Sequence, residues 1–229
     1  MRRIVAVLIG LLALSTVGAQ ELKLGTIEGM ANYGPSVVKV LKEAGFDAKV
    51  SVFPAQGDLV RELAKGGIDG AFFLAQPVIA QAKGAVVVPV RIAESNFYAV
   101  TTDASVKVGN PGDLRKYKVG IVGGHPAHQA LTRGSSPIAA ANDEEQFKML
   151  ADGRVQVVVA VEDLIPFMCK TVGIKSYSLQ KPPLLRTPTF LALSSAKAGL
   201  EPKAEAAFKA WLDDGRWKAE VAKVEAQAQ

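Results

Sequence analysis

Short apolar runs, each followed by a turn and an amphipathic helix, recur along most of this 229-residue chain. Two of these runs, residues 86–88 and 155–161, are apolar at nearly every position rather than at alternate positions. Strands with this pattern are covered on both faces, as in a parallel sheet flanked by helices. The repeated units of strand, turn and helix therefore predict an α/β fold.

Turn residues divide the chain into consecutive elements. Pro35 suits the first turn of a helix that Gly45 ends, and Asp58 is predicted to cap the next helix. The predicted strands are residues 22–27, 48–53, 70–74, 85–92, 96–102, 117–122, 155–161 and 190–194. The predicted helices are residues 36–44, 58–64, 77–82, 126–132, 143–151, 163–172, 202–213 and 216–226.

Two extended segments are predicted to cross between two lobes. One lies near residues 97–102, where the sequence pattern changes, and the other is the proline-rich stretch of residues 181–188. The chain would leave the first lobe, build the second and return. The predicted division is residues 20–99 plus 188–229 for the first lobe and residues 100–187 for the second.

The first 19 residues have the three parts of a secretory signal peptide. Arg2 and Arg3 precede an apolar core, and small residues lead to a predicted cleavage after Ala19. No cysteine lies at that junction, so the sequence predicts a protein without a lipid anchor that is free in the periplasm or secreted.

Composition excludes several classes of protein. The net charge of +5 falls to +3 once Arg2 and Arg3 leave, and no basic run predicts a nucleic-acid partner. The single cysteine, Cys169, lies in an apolar helical stretch and is interpreted as a small core residue. No spacing of His, Cys or acidic residues predicts a metal site, and no glycine motif predicts a nucleotide cofactor.

The chain resembles the periplasmic solute-binding proteins of the type II fold, and extracellular solute-binding family 3 in particular. The resemblance covers essentially the whole chain after the signal peptide and rests on the order and spacing of six segments. These are LKLGT (22–26), LAKGGIDGA (63–71), YAVTTD (98–103), PGDLRKYKVGI (111–121), LADGRV (150–155) and FLALS (190–194). It implies two lobes with two hinge crossings that close on a small solute.

The chain departs from the pattern of the amino-acid-binding members of that family. Where those members have small hydroxyl residues and then an arginine that clamps the ligand carboxylate, this chain has residues 72–77, followed by Gln81 and Lys83. An amide does not replace a guanidinium fork at equal strength. In those members an acidic residue of the second lobe receives the ligand ammonium. The matching position in this chain lies near Val161, with Glu162 beside it. The sequence therefore shows no complete clamp for a zwitterionic amino acid.

Candidate ligand-binding residues follow the predicted strands, because ligands of open α/β sheets bind beyond the carboxyl ends of strands. Tyr33 offers an aromatic face with a hydroxyl, and the amides offer both donors and acceptors. An alternative role for Glu28 and Asn32 is to satisfy turn backbone. The candidates of the first lobe are Glu28, Asn32, Tyr33, Gln56 and Gln76, and Glu162 is one candidate of the second lobe.

The stretch VGIVGGHPAH at residues 119–128 supplies the remaining candidates, Gly124, His125 and His128. His125 precedes Pro126 and is predicted to cap a helix whose free amides would favour a carboxylate, phosphonate or sulfonate. The alternative is an ordinary strand-to-helix turn with exposed histidines.

These observations predict the substrate-binding component of an ATP-driven importer, which captures a small polar, anionic solute by hinge closure and presents it to an inner-membrane permease. We expect a monomer with no cofactor. Two alternatives stay open. One is a dehydratase-like enzyme on the same fold, for which Glu28, His125 and Glu162 are the candidate acids and bases. The other is a ligand-sensing accessory protein.

Overall fold

The structure is a computed structural model that describes residues 20–227. The predicted signal peptide lies outside these residues, so its cleavage after Ala19 stays a prediction. No helix within residues 20–227 is long and apolar enough to cross a membrane.

Residues 20–227 form nine strands and eight α-helices. The strands are β1 (Gln20–Ile27), β2 (Phe46–Phe53), β3 (Gly70–Ala75), β4 (Val86–Val87), β5 (Ala93–Thr101), β6 (Val119–Val122), β7 (Ile138–Ala140), β8 (Val157–Val161) and β9 (Ser178–Leu193). The helices are α1 (Gly34–Glu43), α2 (Gln56–Lys65), α3 (Gln76–Ile79), α4 (Pro126–Leu131), α5 (Asp143–Ala151), α6 (Ile165–Val172), α7 (Glu201–Asp213) and α8 (Arg216–Gln227). Short 3-10 helices cover Glu28–Tyr33, Pro111–Lys116, Glu162–Leu164 and Ser195–Leu200.

The strands lie in the order β2-β1-β3-β9-β5-β8-β6-β7, with β4 paired to β9. Three strands at each end of this order run parallel to one another: β2, β1 and β3 in the first lobe, and β8, β6 and β7 in the second. The two central strands, β5 and β9, pair antiparallel with each other. The predicted α/β class is confirmed.

Strands β5 and β9 run through both lobes. The start of β5 pairs with Thr189 and its neighbours in β9, whereas the end of β5 pairs with β8 and with residues 178–180 of β9. The proline-rich segment 181–188 therefore lies inside the 16-residue strand β9 instead of forming a separate link. The exact lobe boundaries at residues 99 and 187 stay a prediction.

Each lobe has a hydrophobic cluster on both faces of its part of the sheet. In the first lobe, α1, α7 and α8 cover one face with Val40, Phe208 and Trp217, and α2 and α3 cover the other face with residues such as Leu59. In the second lobe, α5 and α6 cover one face, and the segment that contains Leu114 covers the other. Because none of these four clusters of the described residues joins the lobes, burial of apolar area stabilises each lobe separately and leaves a cleft between them.

Some local predictions are wrong for identifiable reasons. Asp58 is not a helix cap: Ala55 is the N-cap of α2, and Asp58 lies in the first turn and pairs with Arg61. The predicted strand 85–92 is regular only at Val86–Val87, although the N–H groups of Val88 and Ile92 still donate to Leu191 and Thr189 of β9. Pro89 interrupts the strand because it has no N–H to donate. The short strand β7 was not predicted, because its three residues are too few to show a period.

Cys169 is 2% exposed and lies within the α5 and α6 cluster, as the sequence predicts. Burial raises the pKa of its thiol to about 11. The thiolate, which is the reactive form of cysteine, is therefore scarce at neutral pH.

Candidate functional site

A cleft of about 900 Å³ lies between the two lobes. The first lobe lines it with residues that follow β2 and β3, the second lobe with residues that follow β6 and β7, and strands β5 and β9 form its base. These are the carboxyl ends of parallel strands, where ligands of α/β proteins bind. The volume falls within the range of sites for small organic molecules.

Apolar side chains form most of the wall of the cleft, and a limited set of polar side chains faces it from both lobes. Phe72, Phe73, Phe97 and Pro126 supply much of the apolar surface. The polar lining residues are Gln56, Asp58, Arg61, Gln81, Ser95, His125, His128, Asn142, Asp143 and Thr187.

The two histidines form a stacked pair at the second-lobe wall of the cleft. Their ring centroids are 4.2 Å apart, and both rings meet the edge of Phe97. His128 is 2% exposed, and its Nδ1 accepts a hydrogen bond from the Val122 N–H at 3.0 Å. Burial lowers the pKa of His125 to about 4 and the pKa of His128 well below its usual value. Both rings are therefore neutral at neutral pH.

His125 occupies the N-cap position of α4, as predicted, but its side chain makes no capping hydrogen bond. Its Nδ1 is buried without a hydrogen-bond partner among the described residues. A buried ring nitrogen in this condition costs free energy until a partner arrives. His125 is thus a candidate for a direct hydrogen bond to a solute, whereas His128 supports the turn by holding Val122.

Asp143 contributes a carboxyl group to the lining of the cleft. It begins α5, just after Asn142, whose side chain caps that helix by accepting the Glu145 N–H at 2.9 Å. Burial raises the pKa of Asp143 to about 6. No basic side chain within residues 20–227 forms an ion pair with it, so a cationic group of a solute would find an unpaired carboxyl there.

The charges of the cleft do not favour an anion. Arg61 is the one lysine or arginine among the described lining residues, and it already pairs with Asp58. Helix α4 has only six residues, and the pair of histidines at its start is neutral. The prediction of an anionic solute is corrected accordingly, since Asp143 leaves the lining with an excess of negative charge.

The lobes contact each other at two places beside the cleft. Gln81 of the first lobe donates from Nε2 to the carbonyl oxygen of Gly124 in the second lobe at 3.4 Å. Gly29, which follows β1, packs so closely on Leu164 that an added Cβ would lie 2.9 Å from the leucine Cδ1. Gln81 stands in the segment where the family pattern has its arginine, and here it bridges the lobes.

A second pocket of about 340 Å³ adjoins the cleft, since Met30, Phe73 and Ser95 line both. We call it the acidic aromatic pocket. Its aromatic walls are Tyr33, Phe73 and Trp217, and four carboxylates line it: Glu94, Glu162, Asp163 and Glu225. Burial, together with the charges of Asp163 and Glu225, raises the pKa of Tyr33 to about 12.

The structure divides the predicted site residues into three groups. Gln56, Gly124, His125 and His128 line the cleft. Tyr33 and Glu162 line the acidic aromatic pocket instead. Glu28, Asn32 and Gln76 are exposed and line neither space, because the 3-10 helix and the first turn of α3 direct them outward.

Sequence reasoning missed Asp143, Asn142, Ser95 and Thr187 as lining residues. Asn142 and Asp143 follow the unpredicted strand β7. A capping residue followed by an acidic first turn marks the start of a helix, and this pattern could have drawn attention to them. Ser95 and Thr187 lie in the crossing strands, where no sequence pattern tells which face of the strand meets the cleft.

The three candidate acids and bases for an enzyme are not brought together. His125 lies in the cleft, Glu162 lies in the second pocket, and Glu28 lines neither. Within residues 20–227 no group of three metal-ligating side chains converges. The arrangement can bind and enclose a solute, with Asp143 and the unpartnered His125 as its polar contacts.

No protein-family model matches the chain. No curated protein matches it either. Solved structures do match it over nearly its whole length, at low sequence identity. They include a histidine kinase sensor domain with similarity to periplasmic binding proteins, 13% identical with a TM-score of 0.76, covering 90% of this chain and 96% of that one.

Two further matches are ligand-bound proteins. An ancestral arginine-binding protein bound to arginine is 17% identical with a TM-score of 0.73, covering 90% of this chain and 98% of that chain. The GluR0 ligand-binding core from Nostoc punctiforme in complex with L-glutamate is 13% identical with a TM-score of 0.69, covering 89% and 98%. The chain therefore has the type II periplasmic-binding-protein fold.

Proposed function

We propose that this protein captures a small organic solute that carries an amino group, of about the size of an amino acid, in the cleft between its lobes. The observation that supports this most is the position of Asp143. Its carboxyl group pairs with no basic side chain of residues 20–227 and lines a cleft of about 900 Å³ between the two lobes. An ammonium group would pair with Asp143, and the largely apolar wall would pack on the rest of the solute.

The structural matches are consistent with this class of solute, because two of them hold arginine and glutamate. The chain lacks the arginine that would clamp a ligand carboxylate, and Gln81 in that segment donates to Gly124 instead. The cleft therefore suits an amine better than a carboxylic acid. The carboxylate of a zwitterion would have His125 and backbone N–H groups as partners. This makes an amine or a weakly held amino acid the expected ligand.

We further propose that the protein works in the periplasm and hands its solute to the permease of an ATP-driven importer. The predicted signal peptide supports the location, and the fold supports the role. Hinge closure would present the loaded form to the permease, because a solute that contacts both lobes favours the closed state by its differential contacts.

The test is calorimetric titration of the purified mature protein with amino acids, alkylamines and organic anions. We expect an amine or amino acid to bind, with affinity that rises between about pH 5 and pH 7 as Asp143, with its pKa of about 6, becomes ionised. Asp143→Asn should weaken that binding about tenfold or more, since a charge-assisted hydrogen bond contributes about 1.5–3 kcal/mol.

Two control variants match the test. Asp152→Asn makes the same change at the exposed C-cap of the same helix and should leave affinity unchanged. His125→Ala should weaken binding more than Lys209→Ala, because Lys209 is exposed on α7. Binding of organic anions alone, or equal affinities for Asp143→Asn and Asp152→Asn, would contradict the proposal.

A sensing role is the second candidate, since one structural match is the sensor domain of a histidine kinase. Both roles use solute binding in the cleft, so calorimetry does not separate them. Uptake of the identified solute into cells that lack the protein does separate them. Loss of uptake supports import, whereas normal uptake with a lost transcriptional response supports sensing.

A further inference from the structure

The acidic aromatic pocket adjoins the cleft, but the solute proposed for the cleft does not use its carboxylates. Its walls come from three parts of the fold: Tyr33 after β1 and residues of α8 from the first lobe, Ala93–Asn96 and Thr189 from the crossing strands, and Glu162 with Asp163 from the second lobe. At about 340 Å³ it has room for a small organic molecule.

Most carboxylates of this pocket form no ion pair within the described residues. Glu94 has Arg91 and Arg186 within 3.6 Å, but Glu162, Asp163 and Glu225 form no ion pair within the described chain. Lys218 is the one lysine or arginine among the described lining residues, and its side chain is exposed and makes no ion pair there. Desolvation raises the pKa of Asp163, and the charges of Glu162 and Glu225 raise it further. Three of the four carboxylates therefore have no ion-pair partner within residues 20–227, and the lining keeps an excess of negative charge.

Two buried polar atoms of the lining residues also lack partners. Thr189 is 1% exposed, and its Oγ1 makes no hydrogen bond within the described chain. Asn96 donates from Nδ2 to Glu162 at 3.4 Å, but its Oδ1 is buried and accepts nothing there. Buried polar atoms are nearly always paired in folded proteins. The amide oxygen can only accept, so the missing partner must carry N–H or O–H donors.

The aromatic side chains add a preference for a cation. Tyr33 and Phe73 meet edge to face at 5.2 Å, and the ring of Phe73 lies 6.3 Å from that of Trp217. Aromatic faces attract ammonium and guanidinium groups. Phe73 takes this position at a bulge in β3 with φ of 59°, a conformation that is rare for a bulky residue and clusters at ligand sites.

From these observations we propose that the acidic aromatic pocket is a second binding site, for a small organic cation with N–H donors, such as an alkylguanidinium or alkylammonium ion. Its charge pairs with Asp163 and Glu162, its N–H groups supply the hydrogen bonds that Asn96 and Thr189 lack, and its alkyl part packs on Phe73 and Trp217. The site does not depend on the solute proposed for the cleft.

The probe is butylguanidinium, titrated by calorimetry into the mature protein, with butylurea as the neutral molecule of similar shape. We expect butylguanidinium to bind about tenfold or more tightly than butylurea, because only the cation pairs with the carboxylates. Asp163→Asn should weaken the binding of butylguanidinium by a similar factor, and Glu225→Gln should also weaken it. Asp47→Asn removes the same charge from an exposed position on β2 and should change nothing.

Variants of the cleft keep the two proposals apart. The binding event that Asp163→Asn weakens should persist in Asp143→Asn, whatever that change does to cation binding in the cleft. Loss of butylguanidinium binding in Asp143→Asn, with binding kept in Asp163→Asn, would place the cation in the cleft and overturn the second site. Equal binding of butylguanidinium and butylurea, or no heat from either, would overturn it as well.

Discussion

Asp143 shows how one residue can couple the pH to both stability and binding. Burial raises the pKa of its carboxyl from 3.8 to about 6, so the folded protein binds a proton more tightly there than the unfolded chain does. The stability from that protonated carboxyl is complete below about pH 4 and is lost as the pH rises through about 6. The histidines of the cleft act in the opposite direction, because their pKa values are lowered.

We therefore expect Asp143→Asn to raise the free energy of unfolding relative to the native protein at pH 7, by up to about 3 kcal/mol, and by much less at pH 4. Urea denaturation of both proteins at the two pH values measures this. At each pH, subtracting the free energy of unfolding of the native protein from that of the variant removes the contribution of the histidines, which both proteins share. Asp152→Asn serves as the control and should show no such difference. A gain that is equal at both pH values would mean that burial does not raise the pKa of Asp143.

Two buried threonines provide a second test at the scale of single residues. The hydroxyl of Thr189 makes no hydrogen bond within the described chain, whereas the hydroxyl of Thr132 donates to the His128 carbonyl oxygen at 2.8 Å. Each is at most 4% exposed. In the ligand-free protein we expect Thr189→Val to raise the free energy of unfolding by about 1 kcal/mol and Thr132→Val to lower it by about 1 kcal/mol. Denaturant melts measure both, and a loss of stability in Thr189→Val would show that its hydroxyl has a partner.

At the scale of elements, the ends of the helices follow rules that the sequence already displays. Helix α2 ends at Gly66, whose φ of 72° is left-handed, and nothing lies within 4 Å of where a Cβ would be. Gly66→Ala should therefore lower the free energy of unfolding by about 1 kcal/mol through backbone strain alone. Gly57→Ala, inside the same helix and equally free of neighbours, should raise it by about 0.5 kcal/mol. Thermal unfolding of both variants tests this, and equal effects would contradict it.

Helices were more predictable than strands in this chain. The predicted helix 143–151 agrees with α5 at both ends, because Asn142 caps it and its apolar residues keep a helical period. Strand β7 and the full length of β9 were missed, since pairing with neighbours decides them rather than local pattern.

At the scale of the whole molecule, Gly29 and Leu164 form a close contact between the lobes, and we expect closure to depend on it. A valine at position 29 would meet Leu164 and oppose that contact. We expect Gly29→Val to weaken solute binding in the cleft about tenfold and to increase the radius of gyration in X-ray scattering, with little change in unfolding, since each lobe has its own core. Gly199→Val, where nothing lies within 4 Å, is the control. An unchanged radius together with full affinity would show that this contact does not govern closure.

The sequence by itself determined the alternation of strands and helices, the two crossings between lobes and the inert Cys169, because these follow from local periodicity, turn residues and apolar content. Only the tertiary structure decided which side chains converge. It placed Asp143 in the cleft, and it placed Tyr33 and Glu162 in a different pocket from His125. The reason is physical: convergence depends on how separate strands align and on which face each loop presents, and no spacing along one chain encodes either.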